Sequence, residues 1–141
     1  MSVAANQLIQ AQNPGSRVKA PVAASEHIYQ GTLCFWERTS GAGEGYLCDD
    51  DDGGANNFAG VAVAEVDNEG GDAGDKNAEL FTSGAFVFEG TGFTQAIVGD
   101  KAYASDNFTV TGSSSSTTYI GTFKEFISST KMRVEIDTQL P

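Results

Sequence analysis

Few residues in this chain of 141 could do chemistry. There is one histidine, His27, and two cysteines, Cys34 and Cys48. Two acidic, glycine-rich runs complete the set, Asp49-Asp50-Asp51-Asp52-Gly53-Gly54 and Asp67-Asn68-Glu69-Gly70-Gly71-Asp72. Nucleophilic catalysis would need His27 beside a nucleophile. No Gly-x-Ser-x-Gly elbow is present, and in an extended segment His27 and Cys34 have opposite parity, so their side chains leave opposite faces. Two cysteines with a lone histidine do not complete a zinc site. An EF-hand loop needs oxygen ligands at positions 1, 3 and 5, a glycine at 6 and a carboxylate at 12. Placing Gly53 at position 6 puts Cys48 at 1 and Ala59 at 12, and the pattern fails. A looser cation site built from Asp67, Asn68, Glu69, Asp72 or Asp75 is the alternative to a solvated loop, and charge runs are as a rule solvated. Gly90-Thr91-Gly92 and Gly99-Asp100 are turns that no helix follows, so neither cradles phosphate. The expectation is a protein that is not an enzyme, with no catalytic residue, no cofactor and no metal.

The segments that carry these residues are strand-like. The longest apolar run, Asn57 to Val66, is short and rich in β-branched residues, which predicts a strand buried on both faces at the centre of a sheet. Gly60 within it predicts a bulge or a close backbone approach. Ile28 to Glu37, Ala78 to Thr82, Ala85 to Glu89, Lys101 to Ala104, Phe108 to Val110 and Tyr119 to Ile127 are aromatic and β-branched and are bounded by turn residues, which predicts further strands. Phe93 to Val98 is read as extended. Lys131 to Asp137 alternates strictly, with Met132, Val134 and Ile136 facing inward. Many short strands and no convincing helix predict an all-β sandwich or small barrel. Cys34 and Cys48 fall on segments that a hairpin would bring together. The preferred reading is two free buried thiols of a chain made in a reducing cytoplasm, with a disulfide as the alternative. Phe35 and Trp36 are neighbours, so one is core and the other is a candidate interface aromatic, as is Tyr29.

Residues 1–26 differ in texture from residues 27–141, and this is the expected division. The N-terminal part holds Asn13-Pro14-Gly15, a turn signal, and Pro21, with little to bury. It reads as an extended arm, ordered by a partner, and His27 marks the junction with a β-rich body. Charge divides at the same place. Residues 1–25 carry Arg17, Lys19 and no acid, whereas the other six basic residues and all 19 acids lie beyond, for a net −13 there. The overall charge of −11 excludes a nucleic-acid partner, because phosphates would be repelled. No apolar run is long enough to span a membrane, and the N-terminus has no secretory-signal pattern. The arm residues most suited to lie on an acidic partner are Pro14, Arg17, Val18, Lys19 and Val22.

The order of several motifs resembles a family of small phage head proteins, the capsid decoration or cement proteins of the DUF2190 type. The motifs are Ile28-Tyr29-Gln30-Gly31-Thr32-Leu33, Phe58-Ala59-Gly60-Val61-Ala62, Leu80-Phe81-Thr82-Ser83-Gly84-Ala85-Phe86-Val87, Gly99-Asp100-Lys101-Ala102-Tyr103, Tyr119-Ile120-Gly121 and the alternating strand Met132 to Ile136. They span roughly residues 27 to 137. The long arm and the extended acidic loops depart from shorter members of the family. The resemblance implies a small β-barrel or sandwich body (β-tulip-like) on the outer surface of an assembled phage head. It further implies a homotrimer at three-fold or quasi-three-fold positions, with arms reaching over the major capsid protein. A virion-surface adhesion or carbohydrate-binding domain, such as a head fibre base with Trp36 or Tyr46 as its aromatic platform, is the alternative.

Overall fold

The structure, a computed structural model, describes residues 3–12, 15–38 and 44–138. Thirteen strands occur among them. A six-stranded sheet has the order β1 (Ala11–Gln12), β9 (Ala85–Glu89), β13 (Lys131–Ile136), β12 (Thr118–Ser128), β10 (Lys101–Ala104), β11 (Val110–Thr111). A five-stranded sheet has the order β2 (Arg17–Pro21), β8 (Asn77–Phe81), β6 (Asn57–Ala62), β4 (Leu33–Trp36), β5 (Leu47–Cys48). A two-stranded ribbon joins β3 (His27–Ile28) to β7 (Val66–Asp67). Every ladder pairing between these strands is antiparallel. The body is all-β and sandwich-like, and it does not close into a barrel.

The main core lies between the two larger sheets. Leu33, Phe35, Phe58, Val61 and Phe81 from one meet Phe86, Phe88, Ile120, Phe123, Met132 and Val134 from the other. The inward set of β13 follows its alternation, with Met132 and Val134 at 0% exposure and Ile136 at 5%. A second cluster covers the opposite face of the five-stranded sheet, where Cys34, Ala59, Ala62, Ala78 and Leu80 pack with Ala20, Val22, Ile28 and Leu47. The central strand β6 is therefore buried on both faces, as its unbroken apolar run predicts. It is also bulged. Leu33 pairs with Val61 and Cys34 with Gly60, but Phe35 pairs with Phe58, which leaves Ala59 as the extra residue. Gly60 sits where a Cβ would lie 2.5 Å from the Phe81 carbonyl oxygen, so only glycine lets β6 and β8 approach.

Several expectations are corrected by packing. The N-terminal part is joined to the body along its described length, not held off it for a partner. Residues Arg17 to Pro21 form five register pairs with β8, and Ala11–Gln12 pair with Phe86 and Ala85. The boundary at residue 26 thus marks a change in composition and not in packing. Small residues supply the reason: Ala20, Val22 and Ala23 fill the second cluster or its margin although each offers little area. The apolar run at 57–66 ends as a strand at Ala62 and resumes at Val66 in the ribbon. The run at 93–98 is a short 3-10 turn at Gln95–Ile97.

Candidate functional site

Two surfaces concentrate polar and exposed apolar groups. The first is the N-terminal segment. β2 is the terminal strand of its sheet, and Arg17, Val18 and Lys19 are exposed on it. Arg17 reaches back to Glu79 (3.6 Å) and lies over the Phe81 ring, 4.8 Å from its centroid. Leu8, at 75% exposure, and Val18, at 42%, are two of the three large apolar residues exposed among the described residues; Ile127 is the third. Leu8 borders a groove of about 180 Å³ that Gln7, Gln10, Val87, Phe108 and Lys131 also line. Of the arm residues named from sequence, Arg17, Val18 and Lys19 are on this surface. Val22 is not: at 0% exposure it belongs to the second cluster and is closed to a partner. Pro14 lies outside the described residues.

The second surface surrounds His27, which the sequence presents only as a junction. His27 is the first residue of the ribbon, and β7 with the residues that flank it brings three acids to its ring, Glu65 just before the strand, Asp67 in it and Glu69 after it. Nε2 lies 2.6 Å from Glu65 Oε2, and Nδ1 lies 3.0 Å from Glu69 Oε1 and 3.9 Å from Asp67 Oδ1. The bond to Glu65 is the main influence raising the His27 pKa, and the same bond lowers that of Glu65. The ring stacks on Tyr29 at 4.1 Å between centroids and 13° between planes. Tyr29 is therefore engaged within the chain, and its hydroxyl is pushed up by burial and by the surrounding carboxylates. The signal for this cluster is visible afterwards in the sequence: acids at 65, 67 and 69 alternate and so share one face of an extended segment.

The loop that carries Asp67 and Glu69 is held from beneath by Asn68, which is 2% exposed. Its Nδ2 donates to the Ala23 and Asp72 carbonyls at 3.0 and 3.1 Å. The Asp67 carboxylate accepts from the Glu69 amide at 3.0 Å. Glu65 is fixed from the other side, where Oε1 accepts from Asn6 Nδ2 at 3.0 Å. Asn6 Oδ1 in turn accepts from the Gln30 amide at 2.8 Å. Residues 3–12 thus reach the His27 cluster through one side chain.

The remaining candidates are structural. β4 and β5 do form a hairpin, but Phe35 pairs with Cys48, so Cys34 faces the second cluster and Cys48 the main core. Both thiols are free and buried. Burial pushes Cys34 far up and Cys48 up to about 12. Asp51 in the first acidic run is 5% exposed, with burial and then Asp50 raising its carboxyl pKa. Half-buried Glu26 is pushed up to about 7 by burial and by Asp49 beside it. Phe35 is core, whereas Trp36 is partly buried against the second cluster. No helix among the described residues is long and apolar enough to cross a membrane. A scan against protein-family models finds no match to this chain, and a search of curated proteins finds no similar one, so the resemblance to phage head proteins rests on its ordered motifs alone.

Proposed function

We propose that this protein is a capsid decoration protein that binds the outside of an assembled phage head and stabilises it. The observation that carries the reading is the composition of the N-terminal surface. A basic, partly apolar terminal strand, with Arg17, Val18 and Lys19 exposed, lies on a body whose other segments hold every acid of the chain. A terminal strand can add to a partner's sheet edge, with main-chain bonds supplying affinity. Arginine, lysine and Pro21 at that edge also discourage pairing between free copies. The acidic remainder keeps unbound copies apart and orients the basic strand toward the shell. Repetition of modest contacts around a homotrimer gives avidity without any single strong contact. The partners in this reading are the major capsid protein and a second and third copy of the chain.

The test uses purified full-length protein and expanded heads lacking it. Addition is expected to raise the melting temperature of the heads, and immature heads are expected to bind none. A triple substitution of Arg17, Val18 and Lys19 to alanine is expected to weaken head binding while the protein's own melting temperature holds. Equal head stability with and without the protein would overturn the proposal.

A further inference from the structure

The geometry points to a divalent-metal site of the zinc class formed by His27 Nδ1, Asp67 and Glu69, with its remaining positions open to water. The inference does not rest on the capsid reading. The three donor atoms lie within 4.8 Å of one another, and His27 Nδ1 is 3.0 Å from Glu69 Oε1 and 3.9 Å from Asp67 Oδ1. A tetrahedral ion with bonds of about 2.0–2.1 Å holds its ligands about 3.3 Å apart. The two distances from Nδ1 bracket that value, and the Glu69 side chain, 65% exposed, is free to rotate the small remainder.

What distinguishes this cluster from a patch of surface acids is how the imidazole is held. Nε2 is committed to Glu65 at 2.6 Å, and Glu65 is itself fixed by Asn6. A ligating histidine characteristically gives its other ring nitrogen to a carboxylate, which sets the tautomer and aims the free lone pair. Here Nδ1 faces two carboxylates and hydrogen-bonds Glu69 Oε1 at 3.0 Å, and a zinc ion would displace the proton of that bond. The ring cannot swing away, because it is 17% exposed and stacked on Tyr29. Asn68 pins the backbone between the two acids, so only the exposed Asp67 and Glu69 side chains remain to be ordered when an ion binds. A nitrogen with two carboxylates suits zinc or a neighbouring first-row ion; calcium and magnesium take oxygen ligands. Asp67 and Glu69 are 56% and 65% exposed, so an ion enters without any opening of the fold.

The experiment is a zinc titration of the untagged, EDTA-treated protein, followed by long-range ¹H–¹⁵N NMR. His27 is the chain's only histidine, so a single imidazole pattern reports. The expected result is a saturable one-to-one shift centred on Nδ1, with Nε2 keeping its proton, and no shift with calcium. Asp67→Asn and Glu69→Gln, at exposed side chains that leave the fold intact, are each expected to weaken zinc at least tenfold. Glu65→Gln, which changes the partner of Nε2 and removes none of the three donor atoms, is expected to weaken it by about 10- to 100-fold. Asp72→Asn, in the same acidic loop, is expected to bind as the parent does. An imidazole pattern that ignores zinc would overturn the assignment. So would an Asp72→Asn loss matching that of Asp67→Asn, because it would mean zinc responds only to the loop's general charge.

Discussion

Val18 and Val22 are both apolar residues of the N-terminal segment, yet the fold uses them in opposite ways. Val18 is 42% exposed on β2, and Val22 is at 0% in the second cluster. Val22→Ala should therefore cost about 2 kcal/mol, for the lost burial and the void left behind. Val18→Ala should stay within about 0.5 kcal/mol. Urea unfolding of the two variants checks the pair, and equal losses would contradict the placement of β2. The thiols give a second test at this scale. Thiolate is the reactive form, and burial raises both cysteines well above the ordinary range. Native protein should therefore take up a maleimide only on the timescale of unfolding, with both sites reacting promptly in denaturant. Rapid labelling of native protein would show that Cys34 or Cys48 is accessible.

At the scale of elements, two structural devices govern the five-stranded sheet. One is the β6 bulge. A Cβ at Gly60 would press on the Phe81 carbonyl, which is backbone and cannot turn aside as a side chain can. Gly60→Ala should destabilise by about 3 kcal/mol or more, measured as a lowered urea midpoint. The other is the capping of the second cluster by residues 20–23. Deleting residues 1–12 removes β1 and the Asn6 contacts and should leave a cooperative fold. Deleting residues 1–26 also strips Ala20, Val22 and Ala23 and should leave none, as read by the loss of a cooperative thermal transition. A folded 27–141 fragment would contradict this account of the core.

The same elements show which parts of the fold were legible in the sequence. Strand β13 could be read because its alternation coincides with burial, and β9 because its aromatic and β-branched run Phe86-Val87-Phe88 is bounded by turn residues and buried throughout. The N-terminal segment could not, because alanine and valine carry little hydrophobic signal and their burial is decided by partners distant in sequence. Residues 93–98 looked extended, but local hydrogen bonds at Gln95–Ile97 make a turn. The His27 cluster was hidden for another reason. Glu65, Asp67 and Glu69 meet His27 only through the β3–β7 ribbon, which pairs His27 with Asp67 across 40 positions. The parity of those acids was visible, but the ribbon that makes it meaningful was not.

For the whole molecule, the dominant feature is charge. In the proposed function, the basic residues displayed on a terminal strand of this chain of net −11 make attachment to an acidic shell surface sensitive to ionic strength. Head binding should weaken as salt rises from about 50 to 500 mM, and the salt dependence should flatten in the Arg17→Ala, Lys19→Ala double variant. The measurement that bears most directly on the proposed function is co-sedimentation of the full-length protein with expanded heads lacking it, over increasing protein concentration. The account predicts saturable binding at a fixed number of copies per head, reduced by substitution of Arg17, Val18 and Lys19. Absence of binding, or binding that those substitutions leave unchanged, would contradict it.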